Sequence, residues 1–343
     1  MPLTIQEIAR ETGLEESVLR FYESEYPDEL PEKQLQGDRY VYERDAVAAF
    51  LGIDQRCQRQ SGELAATIAT GARYGRVIAV TSGKGGVGKT NLALNLAIEL
   101  QRAGKLCLIL DADMGMANIH LLAGILPRHD LGDLLSGEKN VEELIAEGPE
   151  GVGLIPGGSG TLTLADSNPR QRQLIIAALA EIERRADVIL VDTGAGMGKG
   201  VRDFLAAADE VLFVLTPDIT SLADAYGLLK AMQRAGGAKR PVYCLVNMAE
   251  SLRQAADVAS RFSTCAGQFL GVTVENIGYV LKDATVAAAV NRRVPLSVFR
   301  PESRAARNIA NVAGALLHRQ DPEVVLGSAF KRYLNMLGEG EGR

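Results

Sequence analysis

Short runs of apolar residues alternate with longer amphipathic segments through most of the chain after Arg76. These runs predict strands at Val77–Val80, Leu106–Leu110, Gly153–Ile155, Val188–Val191, Val211–Leu215, Val242–Val246 and Ile277–Val280. Nearly continuous apolar strands separated by helical segments are typical of βα units, because helices cover both faces of a parallel sheet. The pattern therefore predicts an α/β fold with a doubly wound, mainly parallel sheet.

The residues before Arg76 follow a different pattern, which predicts a small α-rich unit. Thr4 and Glu7 have the spacing of a capping box at the start of a helix. Two more helices and a strand are predicted at Glu15–Glu23, Asp45–Leu51 and Tyr40–Tyr42.

These changes of pattern divide the chain into four parts. Residues 1–53 form the amino-terminal unit, and the polar, alanine-rich residues 54–75 form a linker. The alternating α/β pattern occupies residues 76–320, and residues 321–343 form a tail.

Composition narrows the class of protein. Hydrophobic residues make up 47% of the 343 residues, and no apolar run approaches the roughly 18 residues that span a bilayer. The first residues lack the basic and apolar stretches of a signal peptide, so we expect a cytoplasmic protein. The cysteines are too far apart in sequence to predict a zinc or redox motif (Cys57, Cys107, Cys244 and Cys265).

One glycine-rich segment carries most of the predicted chemistry. It reads Gly83-Lys84-Gly85-Gly86-Val87-Gly88-Lys89-Thr90, follows a predicted strand and opens a predicted helix at Asn91–Gln101. In such a phosphate-binding loop, backbone N–H groups and the start of the helix face the phosphates of a nucleotide. Lys89 is then expected to reach the β- and γ-phosphates of ATP, and the Thr90 hydroxyl to bind Mg²⁺. Asn91, the first residue of the predicted helix, is also expected to contact the nucleotide.

Polar residues follow three other predicted strands. Asp111 and Asp113 come after Leu106–Leu110, Asp192 follows the next long strand, and Asn247 follows Val242–Val246. Ligands in open α/β sheets gather at the carboxyl ends of the strands, so these residues are expected near the loop. Asp192 is the candidate that holds Mg²⁺ through water.

The additional lysine, Lys84, makes the loop similar to the deviant Walker A motif of the MinD/ParA family. This resemblance implies slow ATP hydrolysis and an ATP-dependent homodimer in which Lys84 reaches the partner's nucleotide. It also implies that Asp113 orients the attacking water and that Asp111 supports the metal. Asn247 would contact adenine, although a turn-forming asparagine explains its position nearly as well.

Within that family the chain resembles the FlhG/FleN (YlxH) branch, which regulates flagellar number. The resemblance is carried by Leu110–Ile119, Asp130–Gly137, Val191–Gly196 and Thr216–Tyr226. It implies contact with an FlhF-like GTPase or a flagellar transcription regulator. Asp54-Gln55 matches the first two positions of the segment that stimulates FlhF, but an ordinary polar linker fits as well.

The amino-terminal unit resembles a MerR-type winged helix. The similarity rests on Ile5–Ala9, Thr12–Leu14, Leu19–Glu23 and Gly37–Tyr42, and it implies DNA contacts by Arg20, Tyr22 and Arg39. Residues 1–53 contain twelve acidic and five basic side chains, which argues against strong binding to DNA phosphates. The sequence is therefore compatible with either protein docking or DNA binding by this amino-terminal unit.

The tail predicts an amphipathic helix. Its apolar stripe consists of Leu326, Phe330, Tyr333, Leu334 and Leu337. Such a helix resembles the membrane-targeting helix of MinD-like ATPases, and packing against protein is the alternative.

Two other functions also fit the sequence. One is a DNA-partition ATPase with a basic patch that includes Arg292, Arg293, Arg304 and Arg307. The other is a transcriptional regulator that binds DNA through the winged helix in response to ATP.

Overall fold

The chain divides into two compact units, Met1–Ala72 and Arg73–Arg343. The computed structural model describes residues 2–14, 16, 19, 23, 30–31, 33–36, 39–52, 74–113, 118–135, 139–157, 178–234, 240–318 and 329. The exact bounds predicted for the linker and the tail stay predictions.

The first unit combines a small antiparallel sheet with helices. Its labelled elements are β1 (Leu3–Thr4), α1 (Ile5–Thr12), β2 (Gln34–Gln36) and β3 (Arg39–Tyr42), with strand order β1-β3-β2. The predicted capping box is present: Glu7 N donates to Thr4 Oγ1 over 3.4 Å, and Thr4 N donates to the Glu7 carboxylate over 2.8 Å. A buried cluster forms the core of this unit and consists of Ile8, Leu19, Tyr42, Ala46 and Phe50.

The second unit is an α/β domain. Its strands are β4 (Arg76–Thr81), β5 (Cys107–Ala112), β6 (Ala146–Glu147), β7 (Gly153–Ile155), β8 (Val188–Thr193), β9 (Glu210–Leu215), β10 (Val242–Ala249) and β11 (Val274–Leu281). Its helices are α2 (Lys89–Arg102), α3 (Ile119–Ala123), α4 (Leu131–Leu135), α5 (Val141–Leu144), α6 (Lys199–Ala207), α7 (Ile219–Arg234), α8 (Leu252–Leu270), α9 (Ala284–Arg292), α10 (Leu296–Phe299) and α11 (Arg304–His318).

The eight strands form one sheet in the order β11-β10-β9-β4-β8-β5-β7-β6. Every neighbouring pair is parallel except β6 with β7. Successive residues of β4 alternate between two buried apolar clusters: Val77 and Ala79 belong to one, Ile78 and Val80 to the other. Helices therefore cover both faces of the sheet, which confirms the predicted doubly wound fold.

Several strands continue past the apolar runs that predicted them. Strand β8 extends to Thr193 and β10 to Ala249, so that Asp192 and Asn247 lie inside strands. Asp111 also lies in a strand and is the register partner of Asp192. The predicted strands were thus two or three residues too short, because the backbone stays extended where the apolar side chains stop, and the polar residues lie near the carboxyl ends of their strands as expected.

A buried ion pair ties the last helix to the start of the sheet. Arg76 of β4 forms a bidentate pair with Glu210 of β9 and donates to the carbonyl of Leu316 in α11 over 2.7 Å. In the predicted tail, Ala329 is helical and buried in the same apolar cluster as Val77, whereas the apolar stripe lies outside the described residues. No helix in the described part of the chain is long and apolar enough to cross a membrane.

Candidate nucleotide-binding site

The glycine-rich loop joins β4 to α2, and its glycines are required by the space around them. Gly86 and Gly88 have φ angles of 76° and 89°, which side chains rarely adopt. A Cβ atom on Gly83 would lie 2.2 Å from the backbone carbon of Asp224 in α7. The N-cap residue of α2 is Gly88, which has no side chain to cap the helix, and the first helical residue is Lys89. The first backbone N–H groups of α2 are therefore available to an anion such as phosphate.

Asn247 supports this loop from β10. Its Nδ2 donates to the carbonyl of Val87 over 2.8 Å, and a Cβ on Gly88 would lie 2.6 Å from the same nitrogen. The side chain therefore packs against the phosphate loop itself, a role that its position at the end of an apolar run did not indicate. Contact with adenine stays a prediction.

Lys89 presents a buried cation to the loop. Its side chain is 8% exposed, and burial lowers its pKa, while Asp192 and Asp113 act in the opposite direction. A cation removed from water is stabilised by an anion nearby. The arrangement suits a phosphate group in contact with Lys89.

Asp192 offers oxygen atoms that suit a divalent cation. Both carboxylate oxygens are buried, and neither accepts a hydrogen bond of good geometry from the described residues. Burial raises the pKa of Asp192 to about 7, and the neighbouring Thr90 hydroxyl acts in the opposite direction. Carboxylate and hydroxyl oxygens are the ligands that Mg²⁺ prefers, so Asp192 and Thr90 fit this ion.

Asp111 organises the backbone beside the site. Its two oxygens accept hydrogen bonds from Asp113 N over 3.1 Å and from Ile119 N over 3.2 Å. Burial raises its pKa to about 6, although these bonds favour the ionised form. Both oxygens are thus already engaged, and a supporting role toward a metal stays a prediction.

Asp113 lies at the mouth of the site. Its side chain is partly exposed, and a Cβ on Gly194 would lie 3.3 Å from its Oδ1. The segment after Gly194 also contacts the phosphate loop, since Gly196 N donates to the carbonyl of Ser82 over 3.4 Å. Asp113 is therefore near both Lys89 and the segment that follows β8.

Lys84 is paired within its own subunit. Its ammonium group donates to the Asp218 carboxylate and, over 2.7 Å, to the Thr220 hydroxyl. Lys84 and Asp218 border a cleft of about 340 Å³ beside the loop, which Pro217 and Met248 also line. Asp218 and Thr220 belong to the segment Thr216–Tyr226 that carries the family resemblance, but the sequence did not indicate their contact with Lys84, because 134 residues separate Lys84 from Asp218.

The other predicted contacts are distributed differently. Arg20 and Tyr22, the side chain of Arg39, and Asp54-Gln55 lie outside the described residues. Arg292 and Arg293 lie at the end of α9, and Arg304 and Arg307 in the first turn of α11. The structure therefore gathers the nucleotide-site residues and leaves the proposed DNA contacts of the first unit untested.

Two family models match this chain. Residues 75–241 match the AAA domain family, and residues 3–59 match the MerR HTH family of regulatory proteins.

Similar proteins share most of their length with this chain. It is 37% identical over 238 residues to the antiactivator FleN of Pseudomonas aeruginosa, covering 69% of this chain and 85% of FleN. It is 31% identical over 270 residues to the flagellum site-determining protein YlxH of Helicobacter pylori, covering 77% and 91%.

The fold matches solved structures of cell-division ATPases. The cell-division ATPase MinD of Pyrococcus furiosus is 26% identical with a TM-score of 0.60, over 72% of this chain and 100% of MinD. A MinD from Pyrococcus horikoshii, solved with Mg-ADP, shares the fold at 24% identity and a TM-score of 0.59, over 70% and 95%. On this sequence similarity, fold and loop geometry, the chain belongs to the MinD/ParA-type P-loop ATPases, in the branch of FleN and YlxH, with a MerR-like unit at its amino terminus.

Proposed function

We propose that this ATPase is a dimerising switch that regulates flagellar number or placement. The observation that carries the proposal is the similarity to FleN and YlxH, whose names refer to antiactivation and to the flagellar site. A partition ATPase and an ATP-responsive DNA-binding regulator are not favoured, since neither relative is named for such a role.

The nucleotide site supports slow hydrolysis of ATP to ADP and phosphate. Lys89 and the N–H groups at the start of α2 bind the phosphates, and Asn247 holds the loop in place. Mg²⁺ held by Thr90 and, through water, by Asp192 would neutralise charge on the phosphates. Asp113, at the mouth of the site, orients the attacking water; its side chain is neither fully buried nor part of the loop's support.

The switch itself is the dimer. Two subunits face each other across their nucleotides, and Lys84 of each reaches the phosphates of the other. The ATP-bound dimer presents a surface that hydrolysis removes. This coupling makes the lifetime of the dimer depend on turnover.

The partners are proposed from the branch and from charge. An antiactivator acts against an activator, so a flagellar transcription regulator is one partner, and an FlhF-like GTPase is the other. The acidic first unit serves as a protein-docking module.

Flagellar counts in the organism that encodes the protein test this proposal. We expect cells in which Lys89→Ala replaces the native protein to match a gene deletion, and Asp113→Ala to shift flagellar number or position in the opposite direction. Electron microscopy of whole cells provides the counts, with protein levels checked by immunoblot. Wild-type flagellation in both variants at normal protein levels would refute the flagellar role.

A further inference from the structure

The start of the phosphate loop is packed tightly against one helix. Gly83 lies so close to the backbone of Asp224 and Ala225 in α7 that a Cβ would approach within 2.6 Å of three of their atoms. The Ser82 hydroxyl then donates to the carbonyl of Lys84 over 2.6 Å. These contacts fix the backbone of Lys84 beside the amino-terminal half of α7.

Asp218 and Thr220, at the start of α7, are held in position to accept hydrogen bonds from Lys84. Thr220 donates to Asp218 Oδ1 from its backbone N–H and from its hydroxyl, both over 3.0 Å. The other Asp218 oxygen and the Thr220 hydroxyl then accept from the Lys84 ammonium. The bond from Lys84 holds the pKa of Asp218 at about 2, with the Thr220 bonds acting in the same direction. Asp218 is therefore a carboxylate throughout the physiological range.

A lysine ammonium has one charge to share between two anions. While Asp218 accepts a hydrogen bond from the Lys84 ammonium within one subunit, the attraction of that ammonium to the phosphates of a second subunit is reduced. We propose that Asp218 and Thr220 are positioning residues that hold Lys84 in the free subunit and so oppose nucleotide-dependent dimerisation. This inference rests on the proposed dimer. It adds that the contact between Lys84 and Asp218 raises the ATP concentration that dimerisation requires.

The size of the effect follows from exposure. Lys84 and Asp218 side chains are 37% and 44% exposed, and ion pairs of this kind change an equilibrium by roughly 1.4- to fivefold. Two pairs break when one dimer forms. Asp218→Asn should therefore lower the dimer dissociation constant by about two- to thirtyfold.

Sedimentation velocity of the full chain with Mg²⁺ and AMP-PNP, a non-hydrolysable ATP analogue, measures that constant. Asp218→Asn should dimerise more tightly, and Thr220→Val should move it in the same direction by less. Asp218→Glu keeps the negative charge, so its dimer dissociation constant should be close to that of the wild type. Asp257→Asn is the matched control, since Asp257 is another exposed carboxylate, 2.9 Å from Arg261 in α8, and it should behave as wild type.

Affinity for fluorescent ADP shows that each variant keeps its nucleotide site. An unchanged or larger dissociation constant in Asp218→Asn, with ADP affinity intact, would overturn the inference and leave the dimer itself standing. Wild-type protein that stays monomeric with saturating AMP-PNP would overturn the proposed dimer and this inference together.

Discussion

The buried carboxylate of Asp192 fits Mg²⁺, but in the absence of the metal its charge is expected to destabilise the folded protein. Its folded-state pKa of about 7 lies above the usual value of 3.8, so the folded protein binds more protons than the unfolded chain between these values. By linkage, the contribution of Asp192 to stability is present below about pH 4 and is lost as the pH rises through 7. The cost at neutral pH amounts to a few kcal/mol, at roughly 1.4 kcal/mol per pKa unit.

Asp192→Asn is therefore expected to stabilise the nucleotide-free protein. Without Mg²⁺, the melting temperature at pH 7.5 should rise by several degrees, because the amide carries no buried charge. At pH 5 the gain should shrink, since Asp192 is then mostly protonated in the wild type. Thermal unfolding at both pH values tests this.

The same substitution should weaken Mg²⁺-dependent nucleotide binding. Isothermal titration with Mg-ADP provides that readout. A variant that melts below wild type at pH 7.5 would contradict the assignment of Asp192 as an unsatisfied buried carboxylate.

At the scale of elements, the phosphate loop depends on how closely it approaches α7. Gly83→Ala should lower the melting temperature markedly and abolish nucleotide binding, because the Cβ would overlap the backbone of Asp224. Gly85→Ala is the matched control for stability, since among the described residues its Cβ would meet the Ala195 side chain at an ordinary 3.8 Å. Thermal unfolding separates the two variants, ADP binding tests the loss of the site in Gly83→Ala, and equal stability for both would contradict the loop packing.

The sequence predicts some secondary-structure elements better than others. The central strands are evident from sequence because they are buried on both faces and therefore apolar along their length. Their ends are not, since Asp192 is polar but still pairs with both neighbouring strands, and Asn247 lies at an irregularity in the pairing of β10 with β11. The edge strand β6 has two residues, too few to show a period, and its pairing with β7 depends on tertiary structure.

For the whole molecule, the site was predicted in part. The glycines and Lys89 form a contiguous motif whose geometry follows from its chemistry. The supports of this motif come from distant segments: Asn247 on Val87, and Asp218 on Lys84, separated by 160 and 134 residues. A single sequence contains no local signal for such pairs.

The two units also differ in charge, which bears on what each contacts. The first unit, residues 1–72, contains fourteen of the 43 acidic residues and seven of the 37 basic residues of the chain. An acidic surface repels nucleic acid and anionic lipid, which favours a protein partner for this unit.

We propose that ATP assembles two subunits and that hydrolysis by the same site separates them. Sedimentation velocity with Mg-ATP or Mg-ADP, combined with phosphate release, tests it most directly in wild type, Lys89→Ala and Asp113→Ala. We predict a persistent dimer without phosphate release for Asp113→Ala in ATP, a transient dimer for wild type, and monomers for Lys89→Ala and for all proteins in ADP. Wild-type phosphate release by Asp113→Ala, or ATP-bound Asp113→Ala that stays monomeric, would contradict the account.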